Sequence, residues 1–221
     1  MADAAGEAVG ALCGGAAMCL GPLAIFGFFF AVIGLGIFFG YYANKGRADA
    51  MRKFAQENAL LMSGGGFFSM PSVSGSYRGH QLQMGYFQRS EGSGKSRHTH
   101  TYFFTRLMTN TSPQFALSLS REGVFSWLGK TIGVTHEIQI GDEAFDKEYL
   151  INTNDALRAK RVLAPEVRQK VDGLFDSFRL GSMNLESGAL YVQREMSNVG
   201  YDDLKKVAEA MAGLADAVDK Y

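Results

Sequence analysis

Hydrophobic positions are unevenly spread along this chain, and the longest apolar block comes first. From Ala11 to Tyr42 (ALCGGAAMCLGPLAIFGFFFAVIGLGIFFGYY) no side chain is charged. About 20 apolar residues suffice to cross the ~30 Å hydrocarbon core as a helix, so this block predicts a transmembrane anchor. From Ala43 to Met62 the pattern turns amphipathic. Met51, Phe54, Ala55 and Leu61 share one helical face, and Arg52, Lys53, Gln56 and Glu57 share another. Ser63-Gly64-Gly65-Gly66 then reads as a short flexible joint.

Beyond Phe67 the period becomes two. Val73–Tyr77, Gln81–Arg89, His98–Leu107, Phe115–Ser120 and Val124–Leu128 read as strands, separated by turn residues such as Arg78-Gly79 and Glu91-Gly92-Ser93-Gly94. Local pairing predicts an antiparallel meander of about five strands. The second half mixes elements. Glu137–Ile140 and Tyr149–Asn152 are short strands, Asp142 opens a turn, and Asp155 caps a helix to Arg161. Pro165 sits at a first-turn position, opening a helix with Val167, Val171, Leu174 and Phe175 on one side. Phe178–Leu185 and Ala189–Arg194 read as a hairpin around Glu186-Ser187-Gly188, and Tyr201–Lys220 is an amphipathic helix. The fold class is therefore α+β: an N-terminal transmembrane helix, then an antiparallel β-sheet domain covered by helices. The expected division is an anchor at 1–42, a juxtamembrane helix and linker at 43–62, and a cytoplasmic domain at 63–221.

The anchor carries finer signals. As one helix, Ala11–Tyr42 would reach about 48 Å, longer than an upright span. Gly21-Pro22 is the expected break, leaving Pro22 to Phe39 or Tyr42 as the span and residues 5–20 as a shorter interfacial helix. A single tilted, kinked helix is the alternative. Small residues recur at intervals of three and four: Gly10, Gly14, Ala17, Gly21, Ala24, Gly27, Ala31 and Gly34, with Gly36 and Gly40 as a further pair. Such a stripe lets another helix backbone approach, so membrane helices of a larger complex are the expected partners, along with the bilayer. Cys13 and Cys19, the only cysteines, read as small packing residues.

Flanking charge sets the orientation. Asp3 and Glu7 precede the span without any Lys or Arg, whereas Lys45, Arg47, Arg52 and Lys53 follow it. The positive-inside rule places the N-terminus outside and the domain in the cytoplasm. Tyr41 and Tyr42 fit the aromatic belt, and with the four cations they form the expected membrane-interface set. The amphipathic helix itself reads as a stalk packed on its own domain, or else as an interfacial helix whose Arg47, Arg52 and Lys53 meet anionic head groups. No basic segment precedes the apolar run, as a cleaved signal peptide requires, so the anchor is expected to be retained.

Composition narrows the chemistry. The formal charge is zero, from 22 basic and 22 acidic residues, a balance that does not fit nucleic-acid binding. The domain has no cysteine, hence no disulfide framework or thiolate metal site. Gly94-Lys95-Ser96 lacks the first glycine of a phosphate loop, since Arg89 stands there. His98 and His100 share a strand face and His80 lies in the preceding hairpin; three imidazoles could hold a transition metal if they converged. An ordinary polar sheet face is the simpler expectation, so no metal and no cofactor is assigned. Asp142, Glu143 and Asp146, like Asp202 and Asp203, read as helix-start acids. No catalytic constellation emerges.

The stretch Ile140–Asp155 (IGDEAFDKEYLINTND), followed by Leu163-Ala164-Pro165-Glu166-Val167-Arg168, resembles a recurrent pattern of bacterial membrane-anchored proteins, with G-D-x-x-F-D before a strand and a Pro-started helix. The resemblance implies a bacterial source, hence the inner membrane, and carries no activity. The expected function is a non-enzymatic accessory subunit stabilising an inner-membrane complex of respiratory or photosynthetic type. The rival is a membrane-tethered sensory domain that binds a ligand or protein, marked by an apolar pocket near Tyr86, Phe87, Phe103 and Phe104.

Overall fold

The computed structural model describes residues 4–66, 69–92, 96–121 and 136–221, with the side chains of 4–24, Ala43 and His136 outside that description. The chain resolves into two units, Met1–Ala43 and Asn44–Tyr221. One helix, α1 (Ala4–Glu57), opens it. Its backbone passes through Gly21-Pro22 without interruption, so the expected break is not made. An interior proline removes one i to i−4 hydrogen bond, a loss that a long apolar helix tolerates.

The second unit begins with the last turns of α1. Here Met51 and Phe54 are fully buried, and the Phe54 ring lies 6.0 Å from Tyr77. The helix was expected to run to Met62 but stops at Glu57. Ala59 adopts a left-handed φ of 52°, and the Leu60 N–H donates back to the Ala55 carbonyl at 2.9 Å, closing the helix as a Schellman turn does. Leu61–Ser63 is instead a strand, β1, paired with β2 (Ser72–Tyr77). The glycines after Ser63 thus lie in the connection between two paired strands.

β2, β3 (His80–Glu91) and β4 (His98–Met108) continue the expected meander. The meander ends there. β5 (Leu117–Arg121) does not pair with β4, and the Val124–Leu128 strand lies outside the described residues. The remaining elements are β6 (His136–Ile138), α2 (Glu143–Glu148), β7 (Tyr149–Thr153), α3 (Ala156–Val162), α4 (Pro165–Phe178), β8 (Ser182–Glu186), β9 (Ala189–Glu195) and α5 (Tyr201–Val218). The sheet order is β1-β2-β3-β4-β9-β8-β5-β7-β6, all antiparallel. The β8–β9 hairpin sits between β4 and β5, where local pairing had placed nothing. Its residues explain the position. Met183, Leu185, Leu190 and Val192 are all at most 3% exposed, which only a central place in the sheet provides.

Local chemistry sets several boundaries. Asp142 and Asp155 cap α2 and α3 by accepting from the N–H groups of Phe145 and Arg158. Pro165 opens α4 in its first turn. Phe178, expected to begin a strand, is the last residue of α4. Arg179 takes a left-handed φ of 47° and Leu180 N–H returns to Phe175 O at 3.1 Å, so the strand starts at Ser182.

The two sheet faces differ. The inner one carries Leu82, Met84 and Tyr86 of β3 and Phe103, Thr105 and Leu107 of β4, all buried. Contacts from the helices fall on this face: Phe54 of α1 on Tyr77, Phe175 of α4 on Tyr149, and Asp216 of α5 on His80. The outer face carries serine, glutamine and aromatic side chains, among them Gln81, Gln83, Phe87, Phe104 and Tyr191.

Candidate functional site

In the first unit the described side chains are exposed throughout. Ile25, Phe26, Phe28, Phe29, Phe30, Ile33, Leu35, Phe38 and Phe39 are each at least half exposed, Phe30 reaching 72%. Ring contacts there run only along the helix itself, as between Phe38 and Tyr42 at 4.7 Å. Ile25–Glu57 has a window of mean hydropathy 2.0 and is long and apolar enough to cross a membrane. Gly27, Gly34, Gly36 and Gly40 have nothing within 4 Å of where a Cβ would stand. Their smallness therefore answers no demand of this chain's own packing. Ala31 is exposed, and Gly10, Gly14, Ala17, Gly21 and Ala24 lie in the α1 backbone ahead of the described side chains.

The expected interface set behaves unevenly. Tyr41 and Tyr42 are 48% and 58% exposed. Three of the four cations are engaged inside the second unit. Arg47 donates to the Ser197 carbonyl and lies 5.4 Å from the Tyr86 ring centroid, Arg52 pairs with Asp49 at 2.8 Å, and Lys53 sits 4.1 Å over the Tyr201 ring. Lys45 alone has no such contact among the described residues. Arg47 in particular is a structural clamp holding the segment before α5 against the sheet.

The three histidines do not converge. Register pairs His98 with Glu91 and His100 with Arg89, at the far end of β3 from His80, about 30–36 Å along the strand at about 3.3 Å per residue. They also face opposite sides: His80 faces Asp216 of α5, while His98 and His100 share the outer face with Tyr102 and Phe104. Both His80 ring nitrogens meet oxygens, Met108 O at 3.0 Å and Asp216 Oδ1 at 2.9 Å. His100 Nδ1 meets Glu195 Oε1 at 2.6 Å, and that hydrogen bond raises the imidazole pKa above its ordinary 6.5, the carboxylate's charge adding to it. A raised folded-state value means the pair's contribution is fully present below about pH 6.5 and is lost as pH rises through the higher folded pKa. Proton NMR should show His100 titrating above 6.5, and Glu195→Gln should bring it back; an unshifted His100 would refute the pairing.

The GDEAFD stretch closes on itself. Asp142 caps α2, and the Asp146 carboxylate accepts from the Ile140 and Gly141 N–H groups at 2.9 Å each. Asp146, a helix-start acid as read from the sequence, is also a loop clamp. Gly94 and Lys95 lie outside the described residues.

The aromatic four are split by the pleat. Tyr86 and Phe103 face inward and meet at 5.3 Å. Phe87 and Phe104 face outward and extend into a row: Tyr102 stacks on Phe87 at 5.3 Å, Phe87 meets Phe104 at 6.1 Å, and Phe104 stacks on Tyr191 at 6.2 Å. The expected pocket is therefore not formed by all four. Phe103 lines a small cavity of about 90 Å³ with Phe178, Leu180, Val192, Met196 and Val199. The outer row depends on Gly85, where a Cβ would stand 2.8 Å from Ser72 Cβ and 3.1 Å from Phe104 Cε1. Gly85→Val should displace Phe104 and cost about 1–3 kcal/mol as overpacking does. Chemical denaturation checks this, and wild-type stability in the variant would refute it.

Open grooves flank this row. One, about 250 Å³, is lined by Arg106, Asn184, Glu186, Ser187, Ala189 and Tyr191. The other, about 480 Å³, includes Ser74, Gln81, Gln83, Met108 and the same Arg106. Sequence reasoning missed Arg106, Asn184 and Gly85. Arg106 and Asn184 come together only because β9 lies beside β4 and β8 beside β9.

No protein-family model matches the chain, and no curated protein matches it. Among solved structures, the crystal structure of the mycobacterial trehalose monomycolate transport factor A, TtfA, shares the fold at a TM-score of 0.54. The match covers 79% of this chain and 95% of that one at 10% sequence identity.

Proposed function

We propose that this protein is a non-enzymatic, membrane-anchored accessory subunit of a bacterial inner-membrane complex, with its N-terminus outside and its α+β domain in the cytoplasm. The observation that carries this reading is the first unit's apolar helix. It exposes every described side chain and keeps small residues where its own chain packs nothing. In water so large an apolar surface is untenable, whereas lipid and neighbouring helices accept it. The fold shared with a mycobacterial transport factor supports an accessory role and favours a transport assembly over a respiratory or photosynthetic host. Extraction of native membranes in mild detergent, followed by mass spectrometry, tests it. Stoichiometric retention on a multi-helix complex is expected, and Gly27→Leu should weaken that retention while leaving the domain's melting temperature unchanged. A protein that runs alone would sink the subunit reading.

A second reading is favoured by the outer sheet face. It is a membrane-tethered domain that binds a ligand in the grooves around Arg106.

A further inference from the structure

We infer that the two grooves meeting at Arg106 form a binding site for a polyhydroxylated ligand, an oligosaccharide or a saccharide headgroup; the inference rests on the ligand-binding reading above. Asn184 is the starting point. It is 7% exposed, yet its Oδ1 has no hydrogen-bond partner, and its side chain lines the smaller groove. A buried amide left unpaired in the free protein is satisfied by a ligand that reaches it. Register places it between Tyr191 on β9 and Ser118 on β5, within the sheet interior. Around it the polar groups are both donors and acceptors. Arg106 and the glutamines Gln81 and Gln83 donate, Glu186 accepts, and none has a partner among the described residues.

A ligand hydroxyl both donates and accepts, so it satisfies either end of the Asn184 amide and bridges Arg106 to Glu186. Tyr191, Ala189 and Met108 add apolar surface for the C–H face of a sugar ring. Other occupants fit less well. β2, β3, β4, β9 and β8 are each paired on both sides, so an extended peptide would find only β1, a three-residue edge strand at the rim of the larger groove. A lipid tail would leave the amides and guanidinium unpaired. A phosphate backbone would meet one cation beside the Glu186 carboxylate.

The test uses the full chain in a non-glycosidic detergent, with maltotriose, trehalose and chitotriose as probes at millimolar concentration. Saturation-transfer NMR should detect at least one of them. Arg106→Ala and Asn184→Ala should each reduce transfer at least fivefold. Arg106 is exposed and unpartnered among the described residues, so its variant should melt at the wild-type temperature; Asn184→Ala should melt no lower, since it removes a group that had no partner. Silence from all three saccharides, or undiminished transfer in both variants, overturns the assignment. Membrane retention is scored separately by alkaline extraction. A wild-type protein that stays in the membrane but binds none of the three saccharides refutes this site and spares the anchor.

Discussion

Phe54→Ala is expected to destabilise the domain by about 3–5 kcal/mol, the range for truncating a buried phenylalanine. For a domain of this size that lowers the melting temperature by about 6–20 °C. The reason lies in where the ring sits. Phe54 is fully buried although it belongs to α1, and it packs against Tyr77 at the end of β2. Removing it opens a cavity between the last turns of that helix and Tyr77 on the sheet. Thermal denaturation of the full chain in micelles measures the effect. Phe30→Ala is the control: at 72% exposure its ring supports nothing in the domain, and the melting temperature should not move. A Phe54→Ala variant that melts at the wild-type temperature would mean that this end of α1 is not part of the domain's core.

Ile33→Lys combined with Gly34→Lys should release the protein from the membrane. Each lysine at the centre of a span costs about 2.5–3.5 kcal/mol on insertion scales. Both positions lie within Ile25–Glu57, the stretch long and apolar enough to cross. The side chains there are exposed, so the substitutions leave the domain's core untouched. Fractionation followed by alkaline carbonate extraction should find the variant soluble or degraded and the wild type in the pellet. A variant that pellets as tightly as wild type would remove the membrane from the account of this helix.

Much of the architecture was readable because its causes are local. The absence of charge from Ala11 to Tyr42, the caps at Asp142 and Asp155, the proline opening α4 and the apolar stripe of α5 each act within a few residues of themselves. The alternation that marks β2, β3 and β4 works the same way, and their hairpins follow from short connections. Helix ends were less legible. α1 and α4 both stop at a non-glycine residue in the left-handed region, Ala59 and Arg179, which carries no compositional signal.

The candidate site divides along the same line. By itself the sequence determined that one unit holds a long uncharged apolar run and that the other is α+β, because burial period and charge are properties of contiguous residues. Only the tertiary structure decided that β9 and β8 stand between β4 and β5. That order separates His80 from His98 and His100, and it brings Arg106 to Asn184 from 78 positions away in the numbering. It also converts Arg47 from a presumed headgroup contact into a clamp on the Ser197 carbonyl. Such pairings arise from competition among many apolar strands for the central, doubly buried places in a sheet, and no local window of residues contains that competition.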